Sequence, residues 1–455
     1  MTGKDVLKVV REKGIKFIRL WFTDILGQLK SVAITERELP RALDGGMGFD
    51  GSSVEGFARI FESDLVALPD PSTFQILPVE LSREQSETQG EKATGAVEEA
   101  AVGRMFCDIL TPDGSPYEGD PRYILKKNLE KANNMGYTYY VGPELEYFYF
   151  KNEKGTDVLD AGGYFDLLPL DIAHDLRNET VLYLERMGIP VEYSHHEVAP
   201  SQHEIDLRFA DALTMADSVQ TYKVIVKEVA WKRGVYATFM PKPLFGQNGS
   251  GMHTHQSLFK GNKNALFDAS DKYHLSREGK AFIAGLLFHA QEITSICNQW
   301  VNSYKRLVPG YEAPVYICWG QRNRSALVRV PMYKPGEEMS TRPELRSPDP
   351  ACNPYLAFAV MLAAGLEGIE KGYELPDPIE KDIFLLSNDE KETQGIKSLP
   401  GSLIEAIQVT EKSQLVKRTL GEHIFNKFID NKKIEWDRYR TQVTDYELQK
   451  YLPIL

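Results

Sequence analysis

YTYYVGPELEYFYF, residues 137–150, is the stretch of this sequence that most constrains the fold. Its aromatic residues favour a β-strand. Glu144 and Glu146 stand two positions apart, and because side chains of a strand alternate between its faces, both carboxylates lie on the same face. Burying two like charges side by side is costly unless a cation neutralises them. The stretch therefore predicts a strand with a cation-binding face.

The sequence on both sides of this strand alternates between helical and strand-like patterns. Long helical patterns cover residues 171–188, 211–234, 276–301 and 353–372. The strand-like pieces between them are VEYSHHEVA (191–199), HEIDLRF (203–209), GMHTHQSLF (251–259), SALVRVP (325–331) and TRPELRS (341–347). We therefore expect an α+β fold with one large sheet that is mixed or mostly antiparallel.

The N-terminal part of the chain has a different pattern. Two apolar-rich runs in KFIRLWFTDILGQLKSVAI (16–34) flank the tetrapeptide DILG, which predicts a β-hairpin. Short strands and loops continue to about residue 104. TPDGSPYEGDPR (111–122) is dense in Pro, Gly and Asp and indicates a boundary region. We expect a small, mostly β domain over residues 1–104 and a large catalytic domain over residues 105–455.

Composition narrows the class of protein. Of 455 residues, 42% are hydrophobic and 26% are charged, which excludes wholesale disorder. A net charge of −12 would repel nucleic acid, so we expect no nucleic-acid partner. The four cysteines form no CxxC pair, the N-terminus lacks a signal-peptide pattern, and the apolar run AFAVMLAAGL (357–366) is far short of the ~20 residues of a membrane span. These features predict a soluble, cytoplasmic protein.

Acidic and histidine side chains recur at strand spacing in the predicted sheet. His253 and His255 alternate in GMHTHQS, Glu344 lies in TRPELRS, and Glu197 and Glu204 flank the turn APSQ. With the two glutamates described above, five carboxylates and one imidazole would suit two hard divalent cations, Mg²⁺ or Mn²⁺, better than zinc. The alternative is that each glutamate pairs with a surface Lys or Arg, since Glu is mostly exposed.

Arginines form a second cluster between residues 306 and 346. Its members are Arg306, Arg322, Arg324, Arg329, Arg342 and Arg346. Guanidinium groups bind phosphate and carboxylate oxygens in pairs, so this local excess predicts an anion site, with structural salt bridges as the alternative. Cations beside arginines favour phosphoryl transfer from a nucleotide. The sequence has no GxxxxGK[ST] loop, and NGSG (248–251) alone is too short to indicate a phosphate loop.

The longest motifs form an ordered series along the chain. They are DGSS (50–53), GPELEYF (142–148), HHEVAPSQHEID (195–206), NGSGMHTHQS (248–257), VPGYEAPVY (308–316), RNRSA (322–326) and ELRSPDPACNPY (344–355). In order and spacing, this series resembles type I glutamine synthetase over essentially the whole chain. The resemblance implies ATP-dependent ligation of ammonia to glutamate through γ-glutamyl phosphate. It also implies a β-grasp-like N-terminal domain and a barrel-like catalytic sheet surrounded by helices.

The same resemblance implies a binding role for each of these side chains. The first metal is implied to be bound by Glu146, Glu197 and Glu204, and the second by Glu144, His253 and Glu344. ATP is implied to be contacted by Glu192, Phe209, His255, Ser257, Arg324 and Arg329. Glutamate is implied to be contacted by Asn248, Gly249, Arg306, Glu312 and Arg346. The ammonium pocket is implied to be lined by Asp50, Ser53, Tyr164, Glu197 and Glu312.

Four residues are implied to act in catalysis, namely Asp50, Glu312, Arg324 and Arg346. Only neutral ammonia is a nucleophile, so Asp50 is implied to accept a proton from bound ammonium. Glu312 is implied to close over the intermediate and exclude water, while Arg346 faces the transferred phosphoryl group. Taken alone, Asp50 in DGSS is also typical of a turn aspartate with a local hydrogen bond.

Assembly and regulation are implied in the same way. The resemblance implies twelve subunits in two stacked hexameric rings, with Asp50 donated by the adjacent subunit. Phe384 stands where one branch of the family carries an adenylylated tyrosine, which favours the branch without that modification. In that branch Arg59 is the candidate residue for feedback inhibition by glutamine. A PII-like regulatory protein and a response to 2-oxoglutarate stay undecided.

Two other functions stay open at this point. Glutamate–polyamine ligases share the ATP and metal motifs but differ around the ammonium pocket, whose residues are all present here. A non-catalytic relative would lack metal ligands, and none of the six is missing here.

Overall fold

The computed structural model describes residues 1–52, 54, 64–78, 101–310, 313–381 and 383–455. Within these residues the chain forms two β-sheets with helices packed against them, which confirms the expected α+β class. Each sheet has its own buried apolar cluster, the smaller around Ile18 and Met105 and the larger around Tyr147 and Phe358.

The smaller sheet contains the N-terminal strands. They are β1 (Phe17–Thr23), β2 (Leu29–Thr35), β3 (Met47–Asp50), β4 (Asp64–Pro69), β5 (Gln75–Ile76) and β6 (Val102–Leu110), accompanied by helices α1 (Gly3–Glu12) and α2 (Leu39–Gly45). The strand order is β2-β1-β6-β4-β3, with β5 paired to β6. The β1–β6 pair is parallel and the other pairs are antiparallel.

The hairpin predicted for residues 16–34 is confirmed as β1 and β2. Asp24 closes its turn, because one carboxylate oxygen accepts hydrogen bonds from the backbone N–H groups of Leu26 at 3.0 Å and Gln28 at 2.8 Å. Gly27 has a φ of +79°, and a Cβ there would lie 2.9 Å from the Cα of Asn353. Only glycine fits, so the hairpin turn packs directly against the larger part of the molecule.

The larger sheet curls into a half-barrel. Its strands are β7 (Thr138–Phe150), β8 (Val191–His196), β9 (Gln202–Leu207), β10 (Ala210–Asp211), β11 (Tyr236–Thr238), β12 (Met252–Lys260), β13 (Lys263–Asn264), β14 (Tyr316–Gly320), β15 (Ala326–Arg329), β16 (Glu344–Leu345) and β17 (Lys397–Ser398). The main order is β17-β14-β15-β16-β12-β7-β9-β8, with β10 and β11 on β7 and β13 on β12. Among the described strands of this larger sheet, only β14 and β15 pair in parallel.

Two expected elements are shorter in the structure than the patterns indicate. The helix predicted over 276–301 is two helices, because His289 leaves the helical conformation between them, with φ −94° and ψ 7°. TRPELRS pairs only at Glu344 and Leu345, since Pro343 and Pro348 cannot donate to a sheet ladder.

Helices cover the half-barrel. They are α3 (Pro121–Asn134), α4 (His174–Arg186), α5 (Ala212–Lys232), α6 (Arg277–Phe288), α7 (Ala290–Cys297), α8 (Ser303–Arg306), α9 (Pro354–Lys371), α10 (Asn388–Thr393), α11 (Leu403–Thr410), α12 (Gln414–Arg440, interrupted at Gly421) and α13 (Asp445–Tyr451). Helix α9 contains AFAVMLAAGL and is apolar on all sides because it is buried on nearly all sides. In the described part of the chain, no helix is both long and apolar enough to cross a membrane.

Strand β6 bears on the expected domain boundary. It runs through residue 104, where we divided the chain, and all its partners belong to the smaller sheet. We therefore move the proposed boundary past Leu110, into the segment 111–122 that its composition indicated. Just beyond it, buried Arg122 joins the two parts by ion pairs to Asp108 on β6 at 2.6 Å and Asp217 on α5 at 3.0 Å.

Candidate active site

Strand pairing brings the predicted acids together on one face of the large sheet. In the register of β7, Glu144 lies opposite His253 of β12, and Glu146 lies opposite Glu204 of β9. On the other side of β12, His255 lies opposite Glu344 of β16. Residues that are up to 200 positions apart in the sequence thus become neighbours through four adjacent strands.

Glu144, His253 and Glu344 form one compact set, which we call the Glu344 group. One ligand atom from each lies within 4.8 Å of the other two. The His253 Nδ1 atom is 3.2 Å from a carboxylate oxygen of Glu144 and 3.6 Å from one of Glu344. These are the three residues expected to hold the second metal, so the structure brings that predicted set together.

His195, Glu197 and Glu204 form a second compact set, the Glu204 group. Their ligand atoms also lie within 4.8 Å of one another, and His195 Nε2 is 3.1 Å from Glu204 Oε2. Sequence reasoning missed His195 and expected Glu146 instead. The signal was present, since His195 precedes Glu197 by two positions and so faces the same side of the segment.

Glu146 lies beside the Glu204 group with its own partners. Its Oε2 atom accepts hydrogen bonds from Gln202 Nε2 at 2.8 Å and from the backbone N–H of Gly251 at 3.0 Å. Glu146 also lines the same cavity as Glu197 and Glu204. Its role as a ligand of the first metal stays a prediction.

The two groups differ in their electrostatics. Burial and the carboxylates of Asp206, Glu146 and Glu144 raise the pKa of Glu204 well above its ordinary value. Burial and Glu144 likewise raise the pKa of Asp206 to about 8. Around Glu204, carboxylates therefore outnumber cationic side chains, which is typical of a cation-binding site.

In the Glu344 group the protein itself supplies positive charge. Burial alone would raise the pKa of Glu144, but His255 and His253 outweigh it and lower that pKa well below its ordinary value. The pKa of Glu344 is also lowered, because His255 and Arg346 outweigh burial. Arg329 donates to Glu344 at 2.9 Å, and Arg346 Nε donates to it at 3.1 Å.

Both groups line a cavity of about 1000 Å³. Its wall includes most of the residues predicted to bind glutamate, phosphate and ammonium, namely Tyr164, Asn248, Gly249, Arg306, Arg324, Arg329 and Arg346. The Nη1 atom of Arg346 is buried and has no hydrogen-bond partner within the described part of the chain. A buried guanidinium with an unused donor at a cavity wall is suited to an anionic ligand.

Two glycines of NGSG keep the cavity open beside Arg306. A Cβ on Gly249 would lie 2.2 Å from the carbonyl oxygen of Pro241. A Cβ on Gly251 would lie 2.5 Å from Arg306 Nη2 and 3.1 Å from Glu146 Oε1. This segment, which alone was too short to indicate a phosphate loop, is therefore glycine-rich because backbone and functional side chains approach closely.

A smaller cavity of about 200 Å³ adjoins the first and shares Glu144 and His255 with it. It is lined by four residues that we expected to contact the nucleotide, Glu192, Phe209, His255 and Ser257. Its wall also includes Tyr193, Asp206 and Arg342, which sequence reasoning did not assign to the nucleotide. The Nε atom of Arg342 is 3.2 Å from His255 Nδ1, which holds that ring against Glu144.

Of the remaining predicted residues, the described part of the chain includes only Asp50. Asp50 ends β3 in the smaller sheet, where its side chain accepts a hydrogen bond from the N–H of Ser52 at 2.8 Å, and it does not line the cavity. This is the local turn bond that was the alternative for Asp50. Ser53, Arg59 and Glu312 lie outside the described residues.

The donor sets of the two groups fit divalent cations. Carboxylate oxygens with one imidazole each suit Mg²⁺ or Mn²⁺, and burial together with neighbouring carboxylates raises the pKa of Glu204 and of Asp206, as expected at a cation site. A curled sheet that places such groups beside an arginine-lined cavity defines a class of enzyme, one that uses divalent cations to bring anionic substrates together.

Comparison with known proteins identifies the family. A family model described as "Glutamine synthetase, catalytic domain" matches residues 118–451, and one described as "Glutamine synthetase, beta-Grasp domain" matches residues 14–112. The chain belongs to the glutamine synthetase family, in its type I form, and the activity indicated is that of a glutamate–ammonia ligase.

Individual relatives match along nearly the whole chain. The curated glutamine synthetase of Mycobacterium tuberculosis (strain ATCC 25618 / H37Rv) is 54% identical over 454 residues, covering 99% of this chain and 98% of the relative. That of Methanosarcina mazei is 51% identical over 458 residues, covering 100% and 98%. A solved structure described as a GmaS/ADP complex has a TM-score of 0.87 at 32% identity and covers 100% of both chains.

Proposed function

We propose that the two adjoining cavities hold ATP and glutamate in line, and that ammonia then enters beside the Glu204 group. In the first step, a γ-carboxylate oxygen of glutamate attacks the γ-phosphorus of ATP and ADP leaves. In the second, the nitrogen of ammonia attacks the acyl carbon of γ-glutamyl phosphate and inorganic phosphate leaves. The observation that carries this proposal is the convergence of two acidic groups and the predicted arginines on one cavity.

The phosphoryl-transfer step is proposed to use the Glu344 group and the arginines. Bound divalent cations supply charge neutralisation between the anionic nucleophile and the anionic phosphate. Arg346, with its unused buried donor, faces the transferred group, while Arg324 and Arg329 contact phosphate oxygens. Glu192, Phe209, His255 and Ser257 line the cavity that would take the nucleotide.

Substrate glutamate is proposed to bind between Arg306 and the NGSG segment. Arg306 is buried, and its guanidinium is oriented by the backbone carbonyl of Ser347, which accepts a hydrogen bond at 2.7 Å. Asn248 and Gly249 lie in the same cavity wall. A fixed guanidinium there suits the α-carboxylate of the substrate.

The ammonia step is proposed to need a neighbouring subunit. Tyr164 and Glu197 line the cavity, whereas Asp50 lies in the smaller sheet and does not. We propose that Asp50 of an adjacent subunit, with Ser53, completes the pocket and takes the proton from ammonium, in a dodecamer of two hexameric rings. Glu312 is proposed to close over the acyl phosphate.

Several finer features are proposals as well. The protein is proposed to use Mg²⁺ or Mn²⁺ at two positions and to act in the cytoplasm. It is proposed to lack regulation by adenylylation, since Phe384, which lines the main cavity, has no hydroxyl group to modify. Feedback inhibition through Arg59 and a PII-like partner are proposed on the resemblance alone.

The decisive experiment measures glutamine formed per ATP consumed. Purified protein is given glutamate and ATP with ammonium, or with putrescine in its place, each with Mg²⁺, with Mn²⁺ or with chelator. We expect glutamine with ammonium, no product with putrescine, and no turnover without divalent cation. A product with putrescine but none with ammonium would overturn the proposal, and so would turnover that persists in chelator.

A further inference from the structure

A buried ion pair lies behind the Glu204 group and joins two segments of the proposed ammonium pocket. We call it the Asp160–His196 bridge. The side chains of Asp160 and His196 are both 0% exposed, and His196 Nε2 is 3.0 Å from Asp160 Oδ1. None of the functional roles described above uses either side chain.

The bridge is bonded to the backbone on both sides. His196 Nδ1 lies 2.6 Å from the carbonyl oxygen of Glu197, so the ring donates to the backbone of a metal-group residue. Asp160 Oδ1 also accepts from the N–H of Ser201 at 2.9 Å. The Ser201 hydroxyl in turn accepts from the N–H of Leu159 at 2.6 Å. The segment before Tyr164 is thereby tied to the turn that carries Glu197.

Residues 161–166, which include Tyr164, pack against the imidazole ring of His196. The N–H of Phe165 donates to the carbonyl oxygen of His196 at 3.1 Å. Phe165 has a φ of +61°, a conformation that a phenylalanine adopts only when its surroundings impose it. The rings of Tyr164 and Phe165 pack on His195 of the Glu204 group, with centroids 5.4 Å and 4.7 Å away.

Gly162 lies in close contact with the imidazole ring of His196. A Cβ on Gly162 would lie 2.7 Å from His196 Nε2, 3.0 Å from its Cδ2 and 3.1 Å from its Cε1. A methyl group therefore cannot be added without moving the ring or the segment. The adjacent Gly163 differs, because a Cβ there would make only ordinary contacts, 3.6 Å from Asp166 and 3.9 Å from Val198.

We propose that Asp160 and His196 are positioning residues of the ligase reaction, which set the separation between Tyr164 and Glu197 and so the affinity for ammonium. The inference rests on the proposed function, since that function places Tyr164 and Glu197 in the ammonium pocket. It adds a determinant of ammonium affinity whose side chains line neither of the two cavities. ATP binding should change little, because none of Asp160, Gly162 and His196 lines the nucleotide cavity.

The test compares Gly162→Ala with the matched control Gly163→Ala in the assembled enzyme. For Gly162→Ala we expect the KM for ammonium to rise about tenfold or more while the KM for ATP stays within about twofold, since a shift of about 1 Å in a pocket has effects of this size. Calorimetric titration of the same variant with Mn²⁺ alone should show one weakened site. Gly163→Ala should match the wild type in both measurements.

A second variant separates positioning from folding. Asp160→Asn keeps the oxygen that Ser201 uses but removes the charge that holds His196, so a smaller rise in the KM for ammonium is expected. If Gly162→Ala does not fold, Asp160→Asn decides. An unchanged KM for ammonium in a folded variant would overturn the inference while ligase activity stands, as would equal rises for ammonium and ATP. A wild-type protein that makes no glutamine would instead overturn the proposed function.

Discussion

The Glu344 group and the Glu204 group lie on the same sheet and offer similar ligands, yet they are neutralised differently. Glu344 is bonded to Arg329 and Arg346, and Glu144 to His253 and His255. Glu204 has His195 beside it, but it also faces several carboxylates that raise its pKa. The first group is balanced by cationic side chains of the protein, whereas in the second the carboxylates outnumber such side chains, as expected for the proposed cation site.

This difference separates two contributions that acidic residues make in one active site. In both groups a carboxylate is proposed to bind metal, so its loss should affect catalysis in the same direction. Only in the Glu344 group does the carboxylate also hold the protein together in the absence of metal. Variants of the two groups should therefore agree in activity and disagree in stability.

The largest expected effect is on activity, and it is the same for both groups. Glu204→Gln and Glu344→Gln should each lower kcat/KM for glutamine synthesis on the order of 100-fold or more, because each removes a carboxylate that is proposed to bind metal. Steady-state assays at saturating Mg²⁺ measure this. Glu278→Gln, which alters a surface pair with Lys260 at the end of β12, is the control and should be unaffected. Near-normal activity in either variant would remove that group from the metal site.

A glycine between the two groups should have the next largest effect. Gly251→Ala places a methyl group 2.5 Å from Arg306 Nη2 and 3.2 Å from His253 Nε2, and the bonds of Arg306 to backbone carbonyls prevent its retreat. We expect kcat/KM for glutamate to fall about 10- to 100-fold, mainly through KM. Gly155→Ala, at a position with open space around it, is the control. If both variants behave alike, close approach at Gly251 is not what the enzyme requires.

The stability of the metal-free protein should change in opposite directions in variants of the two groups. Glu344→Gln leaves Arg329 and Arg346 without their anionic partner and should destabilise the metal-free protein by about 3 kcal/mol. Glu204→Gln removes a carboxylate from a crowded anionic site and should stabilise it by about 1 kcal/mol. Thermal unfolding in chelator measures both shifts. Shifts of the same sign would show that the two groups are electrostatically alike.

The smallest expected effect is a pH dependence of metal stabilisation. The pKa of Asp206 is raised from 3.8 to about 8 and that of Glu204 is also raised, so the folded protein keeps protons that the unfolded chain releases. Between about pH 4 and pH 8 the metal-free protein therefore loses stability as the pH rises. Glu144 and Glu344 have lowered pKa values, and the stability they contribute is lost only as the pH falls below about 4.3.

Divalent cations bind the ionised acids, so the increase in unfolding temperature on adding Mg²⁺ should grow from about pH 5.5 to about pH 8. Parallel thermal scans with Mg²⁺ and with chelator measure this increase. An increase that stays constant across this interval would contradict the raised pKa values of Glu204 and Asp206.

Local patterns were enough to predict much of the architecture. The Asp24 turn, the strand with Glu144 and Glu146, and the long helices follow from turn chemistry and from periods of two and 3.6, which neighbouring residues alone determine. The shortening of TRPELRS was also readable, because Pro343 and Pro348 flank the pair that remains. His195 could have been found by the same alternation that marked Glu197.

The sequence by itself determined which side chains share a strand face, that divalent cations suit them, and which family the motifs resemble. Only the tertiary structure decided that His195 joins Glu204, that Arg346 keeps a buried donor unused, and that Gly162 must leave room for His196. The reason is physical. Periodicity gives the direction of a side chain along one strand, whereas distances across strands depend on register, sheet curvature and packing of segments far apart in the chain.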